Sequence, residues 1–345
     1  MKILLVTHRY PPHTGGVETH VREIAVRLDA KGHDVTVFSA DATDNINRQN
    51  VDDGVLVRRY RSARPGNAFY IAPQLVKAVR QSDADVVHAH NYHAFPLLFA
   101  ALGVTGQQFV VTTHYHGESN SDIRNALLEL YRPLGRWAIR RADDVIAVSD
   151  WERKQLQADF GVDATVIPNG LNKDRFANAA PEPNAEPYLL CVGRLEEYKG
   201  IQYAIRALSE LPGYKLLIAG RGPYMKALKQ IVSEEGVADR VTFLGYVADD
   251  RLPGLYAGAT AYVTLSAVES YGMTVAEALT AGTPCVVRES GALAGWADRD
   301  GCVGVDSMTP AAIATAVREA INCDVDAATV PDWDDIVERI VDQYD

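Results

Sequence analysis

Residues 1–39, MKILLVTHRYPPHTGGVETHVREIAVRLDAKGHDVTVFS, decide the fold. Ile3 to Thr7 is an unbroken apolar run of the length of one buried strand. From Val17 to Lys31, Val21, Ile24, Ala25 and Leu28 recur at helical spacing, and Gly32 closes the segment. Val35 to Ser39 is a second apolar run. Strand, helix and strand in this order close as a parallel βαβ unit, because the helix must cross one face of the sheet to return the chain. Working outward, further strand-like runs lie at Val86–His88, Phe109–Thr113, Val145–Ser149 and Thr165–Ile167. The reading is a doubly wound parallel sheet ending near Asn169 and Gly170.

The pattern then breaks. Residues 179–187, AAPEPNAEP, hold three prolines and no core position, which reads as a surface linker. A second alternating series follows: Leu189–Val192, Lys215–Ala219, Val241–Leu244, Ala261–Leu265 and Pro284–Val287, with helices between. The expected division is residues 1–170, residues 171–328 and a C-terminal helix in residues 329–345. In that helix Ile336, Val337, Ile340 and Val341 share one face, so it needs a surface to dock on and is expected to pack back towards the first domain.

With 345 residues, each half is large enough to bury its own core. The net charge of −11 argues against non-specific nucleic-acid binding, which needs a basic surface to displace counterions. Cys191, Cys285, Cys302 and Cys323 are far apart and form no metal-ligand spacing. Cys191 and Cys285 sit in apolar runs as small buried hydrophobes. No window approaches the ~20 apolar residues of a membrane span, and the short N-terminal apolar run reads as a strand rather than a leader. A cytoplasmic protein is expected.

Open parallel sheets bind ligands beyond the carboxyl ends of their strands, so residues following strands are the candidates for chemistry. Gly15 and Gly16 follow the first strand and precede a helix. They suit either a plain turn or a backbone brought close to a phosphate at a helix start, and they do not form the dinucleotide fingerprint G-x-G-x-x-G. Arg194 and Lys199 follow strand 189–192 and could grip two phosphates together, or be two solvated loop cations. Gly220-Arg221-Gly222-Pro223 follows strand 215–219 as a tight turn, or as main chain open to a base or diphosphate. In Glu269-Ser270-Tyr271-Gly272-Met273-Thr274-Val275-Ala276-Glu277, two carboxylates eight positions apart could accept hydrogen bonds from vicinal hydroxyls of two sugars. The N–H groups of Gly272 to Thr274 would favour a diphosphate.

These segments carry a resemblance. GGVE at 15–18, VGRLEEYKG at 192–200, GRGP at 220–223, FLGYV at 243–247 and ESYGMTVAEALTAGTPCVV at 269–287 look like glycosyltransferase family 4. So do RADDVIAVS at 141–149 and IPNG at 167–170. The likeness runs nearly end to end, with the motifs in order. It implies the GT-B fold: two Rossmann-like, doubly wound parallel-sheet domains facing across a cleft. It further implies transfer of a hexose from a UDP- or GDP-sugar with retention at the anomeric carbon and no required cofactor or metal. Residue by residue, it implies that Gly16 approaches the diphosphate and that Arg194 and Lys199 bind it and stabilise the leaving group. Glu269 would hold sugar hydroxyls and Glu277 the ribose. Tyr246 and Val247 would flank the base, with Arg221 near, and Met273 would line the nucleoside pocket. His114 matches the family's histidine near the reacting sugar, with His116 a second candidate for that place. Three positions depart from the pattern: Asn172 stands where the family often has aspartate, Leu265 where it has proline, and Tyr271 where it has phenylalanine.

Tyr10, His90 and His116 are candidates for the acceptor side. No second carboxylate is evident near His114, so the family's same-face attack is expected rather than a two-carboxylate double displacement. Asp83-Ala84-Asp85 precedes a strand rather than following one and reads as a solvated strand entry. His88, His90 and His93 read as a strand-end polar cluster and not as a metal site. Arg132, Arg136 and Arg140 form one helical stripe, joined by Arg141. It is either a solvated face or a contact for anionic lipid, which would place the protein peripherally at the inner face of a membrane with a lipid-linked acceptor. A nucleotide-sugar epimerase, a non-catalytic nucleotide-sugar-binding protein and a phosphorylase-like enzyme are the other readings.

Overall fold

The computed structural model describes residues 1–65, 69–117, 122–184, 186–327 and 330–344, with the backbone alone for 122–125. Ala185 of the expected linker, the expected boundary at Ala328 and Thr329, and Asp345 lie outside the described residues. The chain divides into two compact units, Met1–Asn169 with Trp333–Asp345, and Gly170–Asp332.

The first unit carries strands β1 (Lys2–Thr7), β2 (Asp34–Ser39), β3 (Gln49–Asp52), β4 (Val55–Arg59), β5 (Val86–His90), β6 (Gln108–Thr112), β7 (Asp144–Ala147) and β8 (Thr165–Val166). Its helices are α1 (Gly16–Ala30), α2 (Gln74–Arg80), α3 (Pro96–Gly103), α4 (Asp122–Arg140) and α5 (Asp150–Phe160). The strands lie in the order β3-β4-β2-β1-β5-β6-β7-β8. All neighbours are parallel except β3 and β4. That hairpin turns at Asp53-Gly54, where both residues take positive φ, as a two-residue turn requires. β3 is short and polar, while β4 carries the brief apolar run Val55–Val57, with Val55 and Val57 buried in the core.

The second unit carries helix α6 (Lys173–Ala177) and strands β9 (Tyr188–Val192), β10 (Lys215–Ala219), β11 (Val241–Gly245), β12 (Ala261–Thr264), β13 (Cys285–Arg288) and β14 (Cys302–Val305). Its other helices are α7 (Ile201–Ala207), α8 (Met225–Glu234), α9 (Leu252–Ala257), α10 (Met273–Thr280), α11 (Ala294–Ala297) and α12 (Pro310–Ala320). The order β11-β10-β9-β12-β13-β14 is parallel throughout. Residues 179–184 do not join the two units. They lie inside the second, where the Glu182 N–H donates to Gly254 O over 2.9 Å and the Glu182 carboxylate pairs with Arg251.

The last helix, α13 (Trp333–Val341), belongs to the first unit. Trp333, Ile336, Val337 and Ile340 are buried in one core cluster with Val21, Ile24 and Leu28 of α1. Each sheet therefore has helices on both faces, which leaves the carboxyl ends of its strands as the surface for chemistry.

Candidate functional site

In a doubly wound sheet a crevice opens where the winding reverses, between two neighbouring strands whose connections leave in opposite directions. In the second unit that point lies between β9 and β12. The loops following these strands carry Arg194 to Lys199 and Glu269 to Gly272. The structure joins them directly: Lys199 Nζ lies 2.5 Å from Glu269 Oε1, with both side chains about four-fifths buried. Burial alone would lower the Lys199 pKa. The Glu269 carboxylate and Tyr198 outweigh it, so the pKa is raised and the ammonium stays charged. Gly200, at φ +73°, brings the turn so close to Leu265 that a Cβ would overlap its carbonyl oxygen. The Ala267 N–H donates to Tyr198 O over 2.8 Å. Main chain thus fixes the lysine against the glutamate. Arg194, three-quarters exposed, pairs with Glu196 at 2.6 Å and, among the described residues, with no other carboxylate, which leaves it available to a ligand.

The segment after Glu269 is braced from the next strand. Ser290 Oγ donates to Ala267 O over 2.9 Å, the Ala292 N–H donates to Glu269 O over 3.1 Å, and Trp296 Nε1 donates to Tyr271 O over 2.5 Å. Gly272 is the N-cap of α10, at φ +103° and with no side-chain cap bond, so the Met273 and Thr274 N–H groups have no acceptor within the helix. Met273 and Thr274 stand in its first turn and are partly exposed. One turn on, Tyr256 Oη donates to Glu277 Oε2 over 2.8 Å. Desolvation pushes the Glu277 pKa up to about 7, with that hydrogen bond and Arg175 opposing. Asn172 sits at the N-cap of α6 without a side-chain cap bond.

The Gly220-Arg221-Gly222 turn is not open main chain. The Gly193 N–H donates to Ala219 O, Gly220 N–H to Gly245 O, and Leu195 N–H to Arg221 O. A Cβ on Gly220 would overlap the Gly193 carbonyl and one on Gly222 the Leu195 carbonyl, so these glycines serve loop-on-loop packing. The Arg221 side chain and Tyr246 remain exposed, and Val247 is partly exposed.

In the first unit the winding reverses between β1 and β5. Gly16 starts α1 with open space where a Cβ would stand. Gly15 is different: Glu18 folds back over it, paired with Arg9 and 3.6 Å from His8 Nε2. A carboxylate of this chain therefore occupies part of the helix start expected for an anion. Tyr10 is fully buried. Its N–H donates to Asp41 over 2.9 Å and its hydroxyl to Asp52 over 3.1 Å, so it offers nothing to an acceptor. His90 is likewise fully buried and does not reach the surface. His116 stacks on His93 at 3.8 Å and remains partly exposed.

His114 sits just past β6 at φ +45°, a backbone state that must be held by its surroundings. Glu152 of α5 holds it. This fully buried carboxylate accepts hydrogen bonds from Thr113 Oγ1 and Tyr115 N–H on either side of His114, and from Val148 N–H at 2.7 Å. Desolvation pushes its pKa up to about 7 against those three donors. Sequence reading passed over Glu152. The available signal was Ser149-x-x-Glu152, a helix-start box in which Ser149 Oγ does accept the Glu152 N–H, while the glutamate reaches elsewhere.

The basic stripe on α4 is interrupted. Arg132 is bound to Asp159 at 2.8 Å and to Glu129, and Arg141 donates to Val104 O over 2.9 Å. Arg136 and Arg140 are exposed, beside an exposed apolar row of Leu127, Leu130, Leu134 and Trp137. Among the described residues no helix is long and apolar enough to cross a membrane. Asp83 pairs with Lys2 at the strand entry, and the Asp85 carboxylate accepts the Lys2 N–H over 2.7 Å.

Two family models match in succession: Glycosyltransferase Family 4 over residues 14–175 and Glycosyl transferases group 1 over residues 172–330. Glycogen synthase of Mycobacterium tuberculosis is 32% identical, over 93% of this chain and 86% of that protein. The GDP-mannose-dependent alpha-(1-6)-phosphatidylinositol monomannoside mannosyltransferase of the same species is 29% identical, over 84% and 81%. Among solved structures, HepE (Alr3699) of Anabaena in complex with UDP and glucose superposes with a TM-score of 0.78 at 19% identity, over 99% of this chain and 98% of that one.

Proposed function

This chain belongs to glycosyltransferase family 4 and is a hexosyltransferase, and we propose that it moves a hexose from a UDP- or GDP-sugar to a hydroxyl acceptor with retention and without a required metal. The observation that carries this reading is the Lys199–Glu269 pair at the winding reversal of the second sheet. A cation held beside a carboxylate, next to an uncapped helix start, offers one site to a phosphate and another to sugar hydroxyls. On binding, Lys199 and Arg194 turn to the diphosphate, with the N–H groups of Gly272 to Thr274. Glu269 takes hexose hydroxyls and Glu277 the ribose. Arg221, Tyr246 and Val247 stand by the base, and Met273 lines the nucleoside pocket. As charge builds on the departing diphosphate, the fixed cations and helix start stabilise it, and its oxygen takes the acceptor's proton. Gly16 gives the first unit its own open helix start, and His114 is its candidate for the reacting sugar. The mannosyltransferase relative's name and the UDP and glucose in the Anabaena structure support both donor bases.

The test is a thermal-shift screen of UDP-, GDP- and ADP-sugars followed by transfer assays. A ligand at 100 times its Kd stabilises by ~2.7 kcal/mol. Lys199→Ala should lower turnover by ~10²-fold, as loss of one preorganised donor does, and chelation by EDTA should leave the rate intact. Near-normal turnover in the variant, or an epimer formed from donor alone, removes the reading.

The exposed row on α4, with Arg136 and Arg140 beside it, fits the surface of an anionic bilayer. Leucines and a tryptophan enter the acyl boundary while guanidinium groups meet headgroups. A lipid-linked acceptor, and a protein held at the inner face of a cytoplasmic membrane, follow from that contact. Full-length protein should float with phosphatidylglycerol vesicles at low salt, and Leu130→Asp with Leu134→Asp should abolish it. Equal flotation of the variant disproves the contact.

A further inference from the structure

Four histidine rings, His20, His88, His90 and His114, pack against one another near the carboxyl ends of β5 and β6, and they fall into two kinds. His88 has both nitrogens satisfied: Nδ1 lies 2.7 Å from Tyr344 Oη and Nε2 2.8 Å from Thr112 Oγ1. It is a structural residue. His20, on α1, and His90, at the end of β5, are 2% and 0% exposed, and among the described residues neither ring nitrogen of either makes a well-formed hydrogen bond. His114 is 7% exposed and lacks one on Nε2. Each of the three offers a nitrogen within 4.8 Å of the others. His20 meets His114 edge-on at 4.6 Å between ring centres and His90 at 5.5 Å, while His90 and His114 lie nearly parallel at 6.0 Å.

An unpartnered buried nitrogen costs ~1–3 kcal/mol, so several of them on mutually facing rings call for a ligand. A cation that takes imidazole nitrogen would satisfy all three rings at once. Zinc–nitrogen bonds of about 2.0–2.1 Å in a tetrahedron put the nitrogens ~3.3 Å apart, which the rings reach by closing inward. Metal binding requires neutral imidazole. Burial, with the neighbouring histidines, lowers the His90 and His114 pKa values well below the ordinary range, and desolvation lowers that of His20 to about 4, with Asn169 opposing. The Asn169 amide lies beside His20, close enough to oppose that shift without completing a well-formed hydrogen bond, and its oxygen stands available for the fourth position. No carboxylate belongs to the group, which selects against Mg2+ and Ca2+ and for Zn2+, Co2+, Ni2+ or Cu2+.

We propose that His20, His90 and His114 form a binding site for a borderline divalent transition metal, and that filling it inhibits transfer by taking His114 away from the sugar. The binding stands on the three rings alone; the inhibition rests on the role proposed for His114. The enzyme is then metal-inhibited rather than metal-dependent.

Chelator-stripped full-length protein is titrated with Co2+, read by the visible absorption of four-coordinate cobalt, and with Zn2+ against a chromogenic chelator. One ion per chain is expected. His20→Asn and His90→Asn should each weaken binding by ~100-fold or more, with folding checked by circular dichroism. His88→Asn, outside the ligand set, should keep the cobalt spectrum; if it fails to fold, Tyr344→Phe serves, since it removes a contact of His88 only. No stoichiometric binding to the wild type, or unchanged binding in folded His90→Asn, overturns the site. In the same samples Zn2+ should inhibit wild-type transfer, and leave untouched whatever transfer His20→Asn retains. Zn2+ bound without inhibition leaves the site standing and removes His114 from the reaction.

Discussion

Glu152 shows how a buried carboxylate can matter without touching a substrate. It accepts three hydrogen bonds, two of them from the residues flanking His114, so it sets the backbone on which that ring is carried. Its pKa, raised to about 7 by desolvation, means that the folded chain prefers it protonated. The stability tied to that proton is fully present below the unfolded carboxylate pKa near 4.3 and is lost as pH rises through about 7. Glu152→Gln has no proton to lose and puts an amide against three donors, so it is less stable at every pH. Its deficit against wild type should narrow between pH 5 and pH 8. Denaturant midpoints of both proteins at the two pH values check this, and a deficit that widens refutes it. At this scale the sequence showed which residues follow strands, as with Lys199, Glu269 and His114, and the structure joins the first two. The sequence was misleading where burial decided the outcome. Tyr10 and His90 follow strands just as visibly, yet the first is consumed by Asp41 and Asp52 and the second lies wholly inside. Nothing local marks Glu152 as serving a loop 37 residues away, because that pairing exists only once α5 packs on β7 and β8.

At the scale of the elements, the loops after β9, β10 and β12 act as one assembly. The chain needs glycine in them chiefly where one main chain lies on another. Gly220 is the sharpest case, at φ +140° with the Gly193 carbonyl where its side chain would be. Gly220→Ala should cost ~3–5 kcal/mol, from backbone strain and forced separation of the loops. It should also loosen Lys199, which the same loops hold against Glu269. Gly16 is the control: its Cβ would meet open space at the first turn of α1, so Gly16→Ala should keep the wild-type Tm and lose turnover. Calorimetry beside transfer rates separates the two, and a stable Gly220→Ala would show that the loops are not interlocked. Glycine-rich turns after strands were plain in the sequence. Their direction was not, since the same pattern serves a phosphate or a neighbouring carbonyl. The β3–β4 hairpin was missed for a related reason: Asp53-Gly54 is a turn signal, but Gln49–Asp52 shows neither an apolar run nor alternation.

At the scale of the whole molecule, the two sheets were legible because parallel strands buried on both faces must be apolar runs, and helices between them must carry a 3.6-residue period. The C-terminal helix was legible as an apolar face expected to pack back towards the first domain, though not as part of that domain's core. The structure supplies the partner: α13 completes the core of the first unit, more than 160 residues after that unit's last strand. Trp333, Ile336, Val337, Ile340 and Tyr344 are all buried there. At ~1.5–3 kcal/mol for each large apolar side chain, they contribute on the order of 10 kcal/mol as an upper figure, comparable to the whole stability of a domain. The edge contacts add less. Arg27–Asp334 at 2.9 Å and Lys31–Glu338 at 2.9 Å are largely solvated ion pairs, the kind that contribute under ~1 kcal/mol. The hydrogen bonds of Arg339 to Val166 O and of His88 to Tyr344 fix the register of the helix on the sheet. A chain ending at Asp332 should therefore lose the cooperative unfolding transition of the first unit while Gly170–Asp332 keeps its own. Ile340→Ala, the milder change, should cost ~2–5 kcal/mol, and Lys31→Ala almost nothing. Hydrogen exchange read separately on peptides from each unit distinguishes these outcomes. Wild-type protection of β1 and β5 in the shortened chain would mean that α13 only rests on a core already complete without it.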